Sequence, residues 1–493
     1  MDKRVIIIGG GLGGLSASLY LAAHGFKVDV FEQNEKLGGK MNEYKWDKFR
    51  FDTGPTLITM PFIIDDLFSK LNLHRPDYLE LELIDPICRY FWNDGTSIDM
   101  SSEINKSIEQ LSRISEEDAS SLKPYLKYAH RIYDISADLF LLNPIHEINT
   151  LMRWKTFYKL FHAYKIDPFR TVHNANKSFF AHPKTIQIFD RYATYNGSNP
   201  FEAPATLNII PYVEYELGGY YIKGGMYRLV HVLGKLLKDM DINVHTSTKV
   251  DKIIHDNDRV MGVVVNGEKL KADYIICNSD VVSSFNTLID GFEERTKKLN
   301  KLEPSISGLV FLWAVSKQYK KLAHHNIIFA SNYEEEFRTI FKDKMAPEDP
   351  TIYISISSKA DPAHATRQGE NWFILINTPY LTEYQDWDVI RNHIRARIVS
   401  KLARTGIDDI EKHIMHEQVY SPLDFYNKYG SNRGSIYGIS SNSRSSAFKR
   451  PPNRSRDLKG LYFAGGSTHP GGGVPLAILS GKICSDLIVE RNT

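Results

Sequence analysis

The chain has 493 residues, 42% of them hydrophobic, which is enough apolar material for the cores of two or three domains. A formal net charge of +2 gives no global electrostatic reason to expect a nucleic-acid partner. The three cysteines, Cys88, Cys277 and Cys484, form no CxxC pair and no metal-ligand spacing, so neither a disulfide framework nor a zinc site is suggested, and a reducing, cytosolic setting fits.

Residues 5–26 carry no formal charge and follow Lys3 and Arg4, a profile open to a signal peptide, a membrane anchor or a strand-turn-helix unit. Five glycines, Gly9, Gly10, Gly11, Gly13 and Gly14, interrupt the apolar block. In a helix interior each would cost about 0.5–1 kcal/mol, so the two helical readings fare badly. A nucleotide unit uses the glycines. The β-branched run 5–8 suits a buried parallel strand. Gly9, Gly11 and Gly14 then match G-x-G-x-x-G: the first for a tight turn, the second for backbone approach to a pyrophosphate, the third for close helix packing. Leu12 and Gly13 lie within that turn, and a helix over 15–23 follows with its N-terminus toward the phosphates. Gly25 ends it, 27–31 is the second strand, and Glu32, followed by Gln33, stands 18 positions after Gly14. A carboxylate there can accept hydrogen bonds from a ribose diol. It disfavours a phosphorylated ribose and leaves NAD and FAD open.

Further along, "EKLGGKMN" places Gly38 and Gly39 before Lys40, and "FRFDTGPTLITMP" carries Gly54, Pro55 and Thr56. Residues 101–217 read as mostly helical. Within them, 151–177 holds six Lys or Arg and one acid, Asp167, with Leu151, Trp154, Tyr158 and Phe161 on one face, Phe157 and Tyr164 beside it, and Pro168 as a stop. Basic and aromatic groups on an amphipathic helix suit a membrane interface. "YYIKGGMYRLVHVLGKLLKDM" predicts a strand, a Gly224-Gly225 turn and an amphipathic helix. Residues 241–280 alternate short strands with turns at Asn257-Asp258 and Asn266-Gly267, and Val250 opens one strand. Residues 292–453 alternate strands and helices and predict a covering sheet, with Trp92 and its neighbours at an edge. At the far end, 461–464 reads as a strand broken by Gly465 and Gly466. After Gly471, Gly472 and Gly473, Val474 and Pro475 open a buried helix, with Pro where its missing N–H costs nothing. A helix N-terminus so placed can stabilise negative charge.

Three blocks carry a family likeness: "GGGLGGLSAS…EQNEKLGGKMN…FDTGPTLITMP", "YYIKGGMY" and "YFAGGSTHPGGGVP". On these the whole chain resembles the bacterial FAD-dependent carotenoid desaturases of phytoene desaturase type. The stretch 195–207 looks most like the 1-hydroxycarotenoid 3,4-desaturases of marine flavobacteria. The resemblance implies an α/β fold. Residues 1–75, 220–290 and 454–493 would form a discontinuous, Rossmann-like FAD-binding domain of amine oxidase type. Residues 76–100 and 291–453 would form an inserted substrate-binding sheet domain, and 101–219 a helical, membrane-facing region. It implies FAD held by the glycines above, with Gly38 and Gly39 against the phosphate and ribityl chain, Lys40 as the usual basic residue, Val250 at the adenine and the terminal helix aimed at the flavin ring.

The implied activity is carotenoid desaturation, with hydride passing from an allylic carbon to flavin N5 and a proton leaving its neighbour. The implied partners are a carotenoid, the inner face of the membrane with the protein peripheral to it, and quinone or oxygen as electron acceptor. No catalytic base is assigned; Asp167, Arg170 and His469 are candidates that nothing in their context favours. Phytoene or diapophytoene desaturation and terminal-methyl oxidation of diapocarotenoids use the same scaffold. A flavin amine oxidase and a lipid-binding escort protein are the rivals from other classes. Against the amine oxidase, Gly466 stands where an acidic residue is usual.

Overall fold

A computed structural model of the chain describes residues 3–137, 141–144, 146–147, 163–443 and 449–492. Its centre is a sheet of five parallel strands, in the order Leu461–Phe463, Tyr274–Cys277, Arg4–Ile8, Lys27–Phe31 and Asn243–His245. The first strand is central, and Val5, Ile6 and Ile7 are fully buried. Parallel sheets need cover on both faces, which is why residues 5–8, 274–277 and 461–463 read as unbroken apolar runs, while Asp29 and Asn243 interrupt the other two strands. The three parts of the sheet come from the two chain ends and the middle.

The helix after the first strand runs Leu12–Ala23, three residues longer at its start than the glycines led us to expect. Gly13 and Gly14 lie in its first turn because other backbone presses on them there. A Cβ on Gly14 would sit 2.3 Å from the Gly9 carbonyl oxygen. The last helix, Val474–Val489, packs along Leu12–Ala23 just as closely: a Cβ on Gly481 would lie 2.1 Å from Ser16 Oγ. Ser16 Oγ donates across the contact to the Ile478 carbonyl, 2.9 Å.

A three-stranded antiparallel meander, Val250–Asp256, Arg259–Val265 and Glu268–Lys271, turns at Asn257 and Asn266, both with left-handed φ. A larger, seven-stranded mixed sheet runs Ile414–Tyr420, Ser307–Val315, Glu370–Thr378, Ile352–Ile356, His325–Ile328, Cys88–Phe91 and Ser97–Met100. Strand alternation sorts its residues. Phe311 and Trp313 join a core with Ile394, Ile398 and Leu402 of the helix Trp387–Arg404. Val310 and Leu312 face the other way, with Phe373, toward Phe49 and Phe51. The helices Ile104–Ser112, Glu116–Ser136, Val172–Lys177, Pro183–Asp190 and Ile209–Glu216 share a core with Cys88, Tyr90, Ile98 and Ile327 at one end of this larger sheet.

The amphipathic segment expected over 151–164 lies for its first twelve residues outside the described residues. Ala163–Ile166 is a short 3₁₀ turn, and Asp167 takes a positive φ just before Pro168. Among the described residues no helix is long and apolar enough to cross a membrane.

Candidate active site

Ligands of open α/β sheets bind beyond the carboxyl ends of the strands. Here those ends open into a cavity of about 1090 Å³, beyond the roughly 300–1,000 Å³ usual for small-molecule sites. Gly9, Gly11, Leu12 and Gly13 line it, and so do Glu32 and Gln33. Gly38, Gly39 and Lys40 form a second stretch of wall, Gly54, Pro55 and Thr56 a third, and Val250 a further point. Gly465, Gly466, Gly473, Val474 and Pro475 complete this end. Gly14 does not reach the cavity; it serves the turn behind it.

The glycine clusters from the two chain ends meet. A Cβ on Gly13 would fall 2.6 Å from the Gly465 nitrogen, so only bare backbone fits on either side. Asn278 closes the junction: its Nδ2 donates to the Gly9 carbonyl, 3.0 Å, and its Oδ1 would lie 2.7 Å from a Cβ on Gly465. The second glycine pair sits against the first, with Gly38 N donating to the Gly10 carbonyl at 2.8 Å.

Two helix N-termini open here. Leu12–Ala23 is preceded by Gly11 and Val474–Val489 by Gly473; neither N-cap accepts a hydrogen bond with a side chain, and neither first turn holds an acid. Each helix start therefore keeps backbone donors and its positive dipole end for a ligand. Glu32, 4% exposed, accepts from Gly10 N through Oε2 at 2.7 Å and from Asn34 N through Oε1 at 2.8 Å. Gln33 Nε2 donates to the Lys428 carbonyl, tying this strand end to the segment that covers it.

Charge in the cavity is mostly cationic. Lys40 Nζ donates to the Ser435 and Ile436 carbonyls, and burial pulls its pKa down to about 8 against the pull of Asp280. Arg450 donates to the Tyr437, Ile439 and Gly466 carbonyls, and burial lowers it to about 10. Asp280 caps the helix Val281–Thr287, and burial raises its pKa. Asn278, Asp280 and Arg450 were not singled out from sequence. The signal for the first two was their place after the strand Tyr274–Cys277, at its carboxyl end.

Of the three candidate bases, His469 lines the cavity, but burial pushes its pKa down to about 3, and its Nε2 lies 2.8 Å from the Asn143 carbonyl. Asp167 and Arg170 do not reach the wall. They pair with each other at 2.5 Å, and Asp167 also accepts from Tyr128 Oη.

Gly11 and Gly13 are held as bare backbone at the cavity wall, because a Cβ on either would collide with Asn278 or Gly465, and two uncapped helix starts with a buried acid at the end of the second strand suit FAD. Such a fold and site define a flavin-dependent oxidoreductase. The chain belongs to the flavin containing amine oxidoreductase family, which it matches over residues 12–489, and within it to the carotenoid desaturases and oxygenases. Its cofactor is FAD. It is 38% identical to a 1-hydroxycarotenoid 3,4-desaturase of Flavobacterium sp. (strain P99-3), covering 99% of this chain and 100% of that protein. It is 34% identical to a 4,4'-diapolycopene oxygenase of Methylomonas sp, covering 99% and 98%. It is also 35% identical to a 4,4'-diaponeurosporene oxygenase of Staphylococcus aureus (strain MSSA476), covering 100% and 99%. Among solved structures, an oxidoreductase from Methanosarcina mazei shares the fold with a TM-score of 0.63 at 14% identity, covering 99% of this chain and all of that one. Putrescine oxidase bound to putrescine does so at 0.63 and 12%, covering both chains in full.

Proposed function

We propose that the protein is a carotenoid desaturase that inserts a C=C bond near the end of an acyclic chain, as 3,4-desaturation of a 1-hydroxycarotenoid. The observation that carries this reading is one continuous cavity. It runs from the glycine-lined end to an apolar wall that includes Leu207, Ile209, Ile210, Val213 and Phe373. Full-length similarity to the Flavobacterium desaturase supports it.

In this reading the backbone of Gly11, Leu12 and Gly13 holds the FAD pyrophosphate, Glu32 a ribose, and Gly38, Gly39 and Lys40 the chain between. Val250 meets the adenine, and Gly465, Gly466, Gly473, Val474 and Pro475 surround the ring. When bound, FAD supplies the two-electron acceptor for dehydrogenation. The protein's own part is to align a stiff polyene, keep water out and place positive charge beside the acceptor. The terminal helix start, Lys40 and Arg450 provide that charge. His469 is neutral at physiological pH and holds no mobile proton there. No residue is assigned as base; as cationic character spreads along the polyene the neighbouring C–H becomes acidic, so a weak proton acceptor suffices and a strong base is not needed. Residues 1–75, 220–290 and 454–493 would act as the FAD-binding domain, 76–100 and 291–453 as the substrate-binding sheet, and 101–219 as the part that meets the inner membrane face. Quinone or oxygen would take up the electrons.

The test is anaerobic mixing of the flavoprotein with a 1-hydroxylated acyclic carotenoid. Bleaching of the flavin spectrum, with a product one conjugated bond longer, is expected; no bleaching sinks the reading. The oxygenase relatives, at 34–35% identity, favour terminal-methyl oxidation as the second reading. Its signature is a product that has gained oxygen.

A further inference from the structure

The same cavity holds a polar patch built from side chains. Arg191, 5% exposed, and Glu214, 1% exposed, form an ion pair at 2.9 Å. Arg191 Nε donates to Tyr90 Oη at 2.6 Å and Nη2 to Tyr192 Oη at 3.1 Å. Tyr192 and Tyr195 both donate to the Glu214 carboxylate. Burying such a pair costs desolvation that well-packed apolar side chains would avoid, so a mere staple is a poor explanation for it. Arg191, Thr194 and Tyr195 reach the cavity wall, whereas Glu214 and Tyr192 lie behind it.

Two polar atoms of these wall residues keep hydrogen-bonding capacity. The Nη1 bond of Arg191 to Tyr195 Oη is long, 3.4 Å, and is the weakest of the guanidinium's contacts. Thr194 Oγ1 spends its proton on the Arg191 carbonyl, 2.7 Å, which leaves its lone pairs to accept. A donor beside an acceptor is what a hydroxyl group needs to be fully hydrogen-bonded.

The patch also lies near the glycine end. Gly197 follows it by two residues, and a Cβ there would meet Tyr437 Cδ2 at 2.7 Å. A Cβ on Gly472 would meet Tyr437 Cδ1 at 2.8 Å. One aromatic ring therefore separates the patch's flank from the terminal glycine stretch. In a 1-hydroxylated chain that reacts at C-3 and C-4, the oxygen-bearing carbon is two carbons from the nearer reacting one. The oxygen must then be held close to the redox end.

We propose that Arg191, Thr194 and Tyr195 form the subsite for the substrate's terminal hydroxyl: Arg191 Nη1–H donates to its oxygen, and Thr194 Oγ1 accepts its proton. This rests on the desaturase reading and names its specificity determinant. The test compares wild type with Thr194→Val and Tyr195→Phe as FAD-loaded enzyme. A 1-hydroxylated acyclic carotenoid and the same polyene without the hydroxyl are assayed for kcat/KM and, separately, for affinity by the shift of the carotenoid's absorption. Wild type is expected to prefer the hydroxylated chain, and Thr194→Val to lower that preference roughly tenfold in both readouts. A purely structural role would weaken both polyenes alike and leave the ratio in place, which overturns the proposal. Should Tyr195→Phe fail to fold, Thr194→Val decides, since Val matches Thr in shape. If wild type converts neither polyene, the desaturase reading fails on its own. The subsite then stands if Thr194→Val still erases a preference in affinity, and falls if wild type shows none.

Discussion

At the glycine end the cavity wall is backbone; at the Arg191 end it is side chain. Backbone recognition leaves no room for alternatives, because an extra atom on Gly13 meets the Gly465 backbone at 2.6 Å. Side-chain recognition is held by a buried network whose members sit on three elements, so removing one leaves the others unpaired. The cofactor end is thus fixed by a lack of room, and the proposed hydroxyl subsite by the mutual dependence of its side chains.

Breaking the side-chain end should give the largest effect on stability. Glu214→Ala leaves Arg191 buried without its carboxylate and should cost about 3–5 kcal/mol in denaturant melts. Flavin content per folded molecule should stay unchanged if the two ends are independent. Gly13→Ala attacks the other end. It should cost about 1–3 kcal/mol and release most of the bound flavin, seen as a lower ratio of flavin to protein absorbance in the purified protein.

Lys40→Met sharpens the comparison through pH. The Lys40 pKa falls from its ordinary value of 10.5 to about 8 in the folded chain, so the unfolded chain binds more protons between those values. Stability of the flavin-free protein should therefore rise as pH climbs from about 8 to about 10.5. Lys40→Met should flatten that slope in melts taken across the window. Glu32→Gln keeps an acceptor for Gly10 N but removes the charge that the proposed reading sets against the ribose; FAD affinity should drop roughly tenfold by titration of the apoprotein. Gln33→Ala removes one hydrogen bond at an exposed edge and should change stability by no more than about 0.5 kcal/mol.

The glycine end was legible in the sequence because a bare backbone contact demands glycine and nothing else, and five of them in six positions make a local pattern. Even there, the start of the helix Leu12–Ala23 was placed three residues late. Propensity counts Gly13 and Gly14 as breakers, whereas packing against the Gly9 carbonyl and Gly465 requires them inside the helix. The other end was opaque. Arg191 and Glu214 are 23 positions apart on separate elements, and no periodicity links them. Asn278, Arg450 and Tyr437 likewise gain their roles only when distant segments meet. His469, next to a proline in a glycine-rich loop, drew notice as a base, but it sits in a dry site where a charge is disfavoured.

The abutment of Gly13 on Gly465 sets an order of events during synthesis. A ribosome finishes the first βαβ unit hundreds of residues before it releases the strand Leu461–Phe463 and the helix behind it. Until then half of the nucleotide cradle is missing, and the emerging polypeptide should be colourless. Cofactor capture is therefore a closing step in the making of this enzyme, and a transcript cut short near its 3′ end would yield protein that never turns yellow.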